Sequence, residues 1–211
     1  MTGQDRRPPA AVVFDALGAA YEEAFGGSRA HRASLAWLLG RLPPGSRVLD
    51  VGSGTGRPTA QTLAAAGHDV LGVDVSPVMC ALAARQVPGA AFQCADVREL
   101  PLAERSFDAV CVYFSLLQMS RSEQRALVRR LADALVPGGS LVLATVPVDV
   151  ADVAGVFMGQ PVRVSSFSAE DVVAMVDAAG LTVLARESVL FTPAGADAVA
   201  EPHLFLHCGR P

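Results

Sequence analysis

The 211-residue chain contains no lysine, isoleucine or asparagine. Arginine is therefore the only basic residue besides four histidines. The codons of the three missing residues are AT-rich, which points to a GC-rich genome, with an actinobacterium as one such source. Aromatic residues are only 6% of the chain, with one tryptophan and two tyrosines. Cysteine is also sparse. Cys80, Cys94, Cys111 and Cys208 are scattered in apolar contexts, with no C-x-x-C and no Cys/His pairing at metal-ligand spacing. They read as reduced core cysteines of a cytoplasmic protein, and no metal site is expected. No apolar run approaches the ~20 residues that span a bilayer, and the first nine residues are not followed by a signal-type apolar core. The net charge of −4 and the pI near 5.5 argue against a large nucleic-acid footprint. Neither a nucleic-acid nor a membrane partner is expected.

What is abundant is apolar. The hydrophobic share is 51% and the mean hydropathy is +0.37, so a single domain with a sizeable core is expected. Its parts are a loose tail over residues 1–9, an N-terminal helical cap over 10–44 and a core over 45–211. In residues 11–25, Val13, Phe14, Leu17, Tyr21, Ala24 and Phe25 fall at helical spacing and predict one helix, ended by Gly26-Gly27. Ser28 caps a second, which Pro43-Pro44-Gly45 breaks.

Residues 46–58 are the most informative stretch. Val48, Leu49 and Val51 form a short buried strand. Gly52, Gly54 and Gly56 then permit a sharp turn and close approach to a ligand. Pro58 suits the first turn of the following helix. Strand, glycine turn and helix N-terminus together make a nucleotide-type cofactor site. The spacing G-x-G-x-G does not match the dinucleotide fingerprint G-x-G-x-x-G/A in either register.

Further on, helices are predicted over 57–66, from Ser76-Pro77 to about Gln86, from the Ser120/Glu123 capping box to about Leu135, and from Ser168 to Gly180. Strands are predicted over 69–74, 90–95, 107–114 and 140–146. The alternation implies right-handed crossovers and a parallel sheet. Residues 147–167 are expected to be loop. Two final strands, about 181–191 and 203–209, have no helix between them and should pair antiparallel.

The motif Asp50-Val51-Gly52-Ser53-Gly54-Thr55-Gly56, with this layout over residues 46–210, resembles the class I S-adenosylmethionine (SAM)-dependent methyltransferases. The resemblance implies an α/β three-layer sandwich. Its seven-stranded, mostly parallel sheet has the order 3-2-1-4-5-7-6, with strand 7 antiparallel. It implies SAM as cofactor and a small-molecule acceptor, to be bound between residues 10–42 and 147–167. Asp50 would approach the methionine amino group, while Ser53, Thr55 and the three glycines line the turn. Arg57 is a candidate for the methionine carboxylate, against a solvated surface role. Asp74, about 20 residues beyond the glycines, would accept from the ribose diol, and Val75 would pack on adenine. Asp96 would accept from the adenine amine, with the Val97 backbone beside it. Phe114 and Ser115 would lie beneath the sulfonium. Gln118 and Met119 are candidates for the acceptor pocket. The N/D/S-P-P-Y/F tetrapeptide of amino-methylating relatives is missing.

No general base stands out. His31 and Tyr21 are the candidate catalytic residues, although an exposed helical histidine and a core tyrosine are the plainer readings. His203 and His207 share one face of the last strand and read as structural. Two other functions compete with methyl transfer: a non-catalytic SAM-binding or partner-binding module, and an NAD-dependent oxidoreductase.

Overall fold

The computed structural model describes residues 8–195 and 198–211. Most of the expected tail lies outside these residues, and its last residue, Pro9, already begins a helix. The elements in order are α1 (Pro9–Leu17), α2 (Ala19–Phe25), α3 (Arg29–Leu39), β1 (Arg47–Val51), α4 (Thr59–Ala65), β2 (Asp69–Asp74), α5 (Pro77–Gln86) and β3 (Ala91–Cys94). They continue with β4 (Phe107–Tyr113), α6 (Arg121–Ala134), β5 (Leu135–Thr145), β6 (Val153–Phe157), β7 (Gln160–Val164), α7 (Ala169–Ala178), β8 (Thr182–Phe191) and β9 (Glu201–Gly209).

The main sheet has seven strands in the order β3-β2-β1-β4-β5-β9-β8. With the separate β6–β7 pair set aside, this is the expected 3-2-1-4-5-7-6. The pairings β1–β2, β1–β4, β2–β3 and β4–β5 are parallel, and β9 runs antiparallel to both β5 and β8. The central strands are apolar on both faces because helices cover both. On one face, Leu35 and Leu38 of α3 and Ala60 and Leu63 of α4 meet Val48, Val70, Cys111 and Phe205. On the other, Leu127 and Leu131 of α6 and Val172 and Val176 of α7 meet Leu49, Val110, Leu141 and Leu206.

Four local expectations are corrected. The first helix is two. Gly18 takes φ +49°, ψ −130° between α1 and α2, a conformation glycine tolerates and a helix does not. Residues 147–167 are not all loop, because β6 and β7 form an antiparallel hairpin turned at Met158 and Gly159, both at positive φ. A Met-Gly turn is not one of the strong hairpin signals, and Pro161 inside β7 masked an edge strand. β5 starts at Leu135 rather than Ser140, through a register shift against β4 that absorbs Pro137-Gly138-Gly139. Cys94 is exposed rather than core, and all four cysteines are free.

Helix α6 carries the closest agreement between sequence and structure. Ser120 accepts from the Glu123 backbone N–H, and Glu123 reaches back to the Ser120 N–H at 2.8 Å. Among the described residues no helix is long and apolar enough to cross a membrane, and no group of three or more His, Cys, Asp or Glu side chains could hold a metal.

Leu131 is fully buried at the centre of the α6 face. Leu131→Ala is expected to cost about 2–5 kcal/mol of stability, read from urea denaturation, because the rigid sheet opposite cannot collapse into the cavity.

Candidate functional site

The site lies along the C-terminal edge of the parallel strands. There the strands β1, β2 and β4 end in turns that line the cavities. Gly52 and Ser53 donate to the Val73 carbonyl at 2.7 and 3.1 Å, which draws the turn after β1 against the end of β2. Gly52 sits at φ +68°, and a Cβ there would lie 2.3 Å from the Ser115 Cβ. Gly54 also has positive φ, +52°, but its Cβ direction meets no atom within 4 Å. Gly52 therefore serves packing, whereas Gly54 presents bare backbone to open space.

Asp74 ends β2. Its Oδ2 accepts from the Gly54 N–H at 2.9 Å and its Oδ1 from the Ser76 N–H at 2.8 Å. One carboxylate thus ties the glycine turn to the start of α5. From the cap, Asp15 of α1 accepts from the Ser76 hydroxyl at 2.6 Å and from the Val78 N–H at 3.3 Å. Burial pushes Asp74 up, opposed by its backbone donors and assisted by the Asp15 charge. Asp50 is buried, with Oδ2 unpartnered. Burial, and then the Asp74 charge, push its carboxyl up to about 7.

Three connected cavities open on this edge. The first is walled by Gly52, Gly54, Asp74, Val75, Val97 and Ser115, with Arg98 at one side. The second is walled by Asp50, Ser53, Thr55, Arg57, His31 and His203. The third is apolar, with Phe14, Phe25, Val146, Phe157, Val162 and Val164 around it and Glu201 as its acidic group. Tyr21 and Phe114 line all three, so they mark the junction. Phe114 holds φ +57°, an uncommon conformation for an aromatic residue, and this turns the chain out of β4 at the junction. Tyr21 stacks on Phe25 at 5.0 Å and meets Phe14 edge-on at 5.5 Å.

Ten of the twelve residues expected to bind the cofactor are in these walls: Asp50, Gly52, Ser53, Gly54, Thr55, Asp74, Val75, Val97, Phe114 and Ser115. Two are placed elsewhere. Gly56 packs away from the cavities, where a Cβ would lie 3.0 Å from Phe92 and Val87. Asp96 turns its carboxylate onto Arg98, accepting from Nε and Nη2, and the Arg98 guanidinium also binds Glu123. That pairing holds Asp96 below the usual carboxylate range. Arg57 faces Glu22 at 3.6 Å. Gln118 and Met119 line the first cavity, and Gln118 the third as well.

Of the two catalytic candidates, His31 shares a hydrogen bond between Nε2 and the Thr59 hydroxyl at 3.0 Å. Burial, then Arg32 and His203, hold its imidazole down to about 3, so it is a weak base at neutral pH. Burial and the charges of Glu201 and Asp74 raise Tyr21, so its phenol stays protonated. Arg98, Glu201 and the separate placement of His203 had no local signal in the sequence. Arg98 pairs with Asp96 and Glu201 with His203, each two positions away, but their place in the cavity walls comes from the assembled fold. The two terminal histidines in fact differ: His207 bonds the buried Ser34 hydroxyl at 2.9 Å, while His203 stands in a cavity wall.

A SAM molecule fits the chemistry of these walls. The unpartnered Asp50 Oδ2 suits a cationic ammonium, the hydroxyls of Ser53 and Ser115 also lack partners, and the open space at Gly54 admits a ligand against backbone. Each Asp74 oxygen retains acceptor capacity for a ribose hydroxyl.

Two outcomes follow. Gly54→Ala is expected to lose about 1–2 kcal/mol from its positive φ alone. Gly52→Ala should lose more, because the clash with Ser115 adds to the strain; thermal denaturation of both variants ranks them. The second outcome concerns pH. Asp50 is raised in the folded state, so its stabilisation is complete below the unfolded value near 3.8 and is lost as pH rises through about 7. His31 is lowered and contributes the opposite slope between about 3 and 6.5. The stability of ligand-free wild type relative to Asp50→Asn is therefore expected to fall between pH 4 and 7, measured by denaturation at a series of pH values.

Residues 48–139 match the family model described as a methyltransferase domain. The chain is 34% identical over 146 residues to a demethylmenaquinone methyltransferase of Renibacterium salmoninarum, covering 66% of this chain and 60% of that protein. It is 42% identical over 113 residues to the demethylmenaquinone methyltransferase of Beutenbergia cavernae, covering 54% and 45%. The chain thus spans less than two thirds of the length of either relative. Among solved structures, the 1,6-didemethyltoxoflavin-N1-methyltransferase of Burkholderia thailandensis superposes with a TM-score of 0.72 at 22% identity, over 100% of this chain and 93% of that one. The [4+2]-cyclase SpnF superposes with a TM-score of 0.72 at 21% identity, over 100% of this chain and 99% of that one. At these identities the two structures establish the fold. In its fold and in its match over residues 48–139, the chain is similar to the SAM-dependent methyltransferases.

Proposed function

We propose that the chain transfers a methyl group from SAM to an apolar, aromatic small molecule. The observation that carries this reading is the junction at Tyr21 and Phe114. It joins a polar half, with the buried Asp50 and half-buried Asp74 carboxylates, to an aromatic cavity. When bound, SAM would supply a methyl group already activated by its sulfonium. The chain's own residues would orient and desolvate. Asp50 would hold the methionine ammonium and Asp74 the ribose diol, while Val75 and Val97 pack on the adenine. Asp96 would act by positioning Arg98 beside the adenine rather than by touching it. Phe114 and Ser115 would set the floor of the junction, and α1, α2 and the β6–β7 hairpin would close over the acceptor. Holding two reactants in line and excluding water supplies much of the acceleration of such a displacement.

The relatives named for demethylmenaquinone support an apolar ring system as acceptor class, and so does the lining of Phe14, Phe25 and Phe157. The reading also retains residues 45–211 as one catalytic unit capped by 10–44. A cyclase on the same fold supports a second reading, in which the cofactor site is retained without methyl transfer.

Calorimetry with S-adenosylhomocysteine, SAM and NADH tests the assignment. The first two are expected to bind and NADH is not; the reverse would refute it. Asp74→Ala should weaken SAM binding at least tenfold, by roughly 1.4 kcal/mol or more. Because an ammonium favours ionised Asp50, SAM binding near pH 6 should release a proton, seen as a dependence of the binding heat on the buffer. Asp50→Asn should abolish that release. Labelled methyl transfer into a metabolite extract separates catalysis from mere binding.

A further inference from the structure

The last strand brings Glu201 and His203 to the junction. His203 is buried, with a side-chain exposure of 1%, and its Nε2 lies 2.7 Å from Glu201 Oε1. An ionised carboxylate only accepts, so Nε2 must be the protonated nitrogen. Nδ1 then carries the lone pair. That atom is buried and has no partner. A buried acceptor left unpaired is destabilising, so the fold maintains this arrangement at a cost to stability. The ring is fixed between Phe114, at 4.4 Å between centroids, and Phe191, at 5.1 Å. His203 lines the polar second cavity and Glu201 lines the apolar third, so the pair bridges the two compartments beside Tyr21.

We propose that His203 and Glu201 form a general-base dyad for a hydroxyl-bearing aromatic acceptor. The inference rests on the methyl-transfer reading above. The acceptor's O–H bond breaks and its proton passes to His203 Nδ1. The oxygen's electron pair forms the new O–CH3 bond as the CH3–S bond breaks, and that bond's pair stays on sulfur. Glu201 holds the Nε2–H tautomer and balances the imidazolium that forms, and the proton leaves to water with the product. A positioned base of this kind typically contributes 10²–10⁴-fold. Apart from His203 itself, the titratable or charged groups in the second cavity's wall are Tyr21, Glu22, His31, Asp50, Arg57 and Tyr113, and Glu201 faces the ring from the third. The strand residue packed on the ring from β8, Phe191, is apolar. His31 is engaged at Nε2 by the Thr59 hydroxyl, whereas Nδ1 of His203 is buried and unpartnered at the junction.

The test uses the whole chain saturated with S-adenosylhomocysteine and 4-nitrophenol as the probe, with its ionisation read from the visible absorbance. Wild type is expected to bind the probe and lower its apparent pKa by about one unit, a tenfold gain in ionisation. Both His203→Gln and Glu201→Gln should return the probe to its free value or close to it, while calorimetry shows S-adenosylhomocysteine binding retained. Because His203 is buried, the partly exposed Glu201 supplies the variant less prone to unfold. An unshifted probe in wild type, a probe that fails to bind, or a shift that survives both substitutions would overturn the dyad and leave the methyltransferase reading intact. Failure of wild type to bind S-adenosylhomocysteine would overturn both.

Discussion

The Asp74 carboxylate is the node on which the site depends. It accepts one backbone hydrogen bond from the glycine turn and one from the start of α5. Both loops are short, and each is held by one oxygen of the same carboxylate. Gly52 completes the arrangement from the other side, because only a residue without Cβ can lie against Ser115. The cap is fastened to the same place through Asp15, which binds Ser76 and the first turn of α5. Strand end, glycine turn, helix start and cap are thereby one hydrogen-bonded assembly rather than four neighbours.

The electrostatics of that assembly have a direction. Burying Asp50 is unfavourable, and the charge of the half-buried Asp74 adds to the cost, so the Asp50 carboxyl is raised. A cation entering the second cavity relieves it. The opposite half offers no such charge pair. Its walls are aromatic and aliphatic, with Tyr21 and Phe25 stacked over Phe157. A molecule with one cationic, polar part and a separate apolar one would divide naturally between the compartments, and Phe114 stands where the parts would meet. The Arg98 cluster steadies the far wall: its guanidinium bridges Asp96 and Glu123, and Arg130 of α6 binds the carbonyls of Val97 and Leu100.

Much of this was legible in the chain itself. The alternation of short apolar runs with capped helices specified a parallel sheet through right-handed crossovers, while the order of its strands came from the resemblance carried by the glycine motif. The glycine spacing and the acids at positions 50 and 74 marked the sheet edge that carries the cavities, because strand, turn and helix start are contiguous. The same reasoning placed Asp96 on the ligand, although its carboxylate is taken by Arg98 only two residues on. Gly56 looked equivalent to its neighbours, yet it faces Phe92 and Val87.

Contiguous information therefore determined the strands, the capped helices, the turn after β1 and the class of cofactor. These depend on periodicity, backbone conformation and hydrogen bonds within a few residues. Only the tertiary structure decided the rest. The break at Gly18, the β6–β7 hairpin and the aromatic third cavity arise where segments far apart in sequence pack together. His203 shows the difference most clearly. Read along the strand it is one of two equivalent histidines. Phe114, 89 positions earlier, and Tyr21, on the cap, set it where the cavities meet, and no local pattern encodes a contact between residues that far apart.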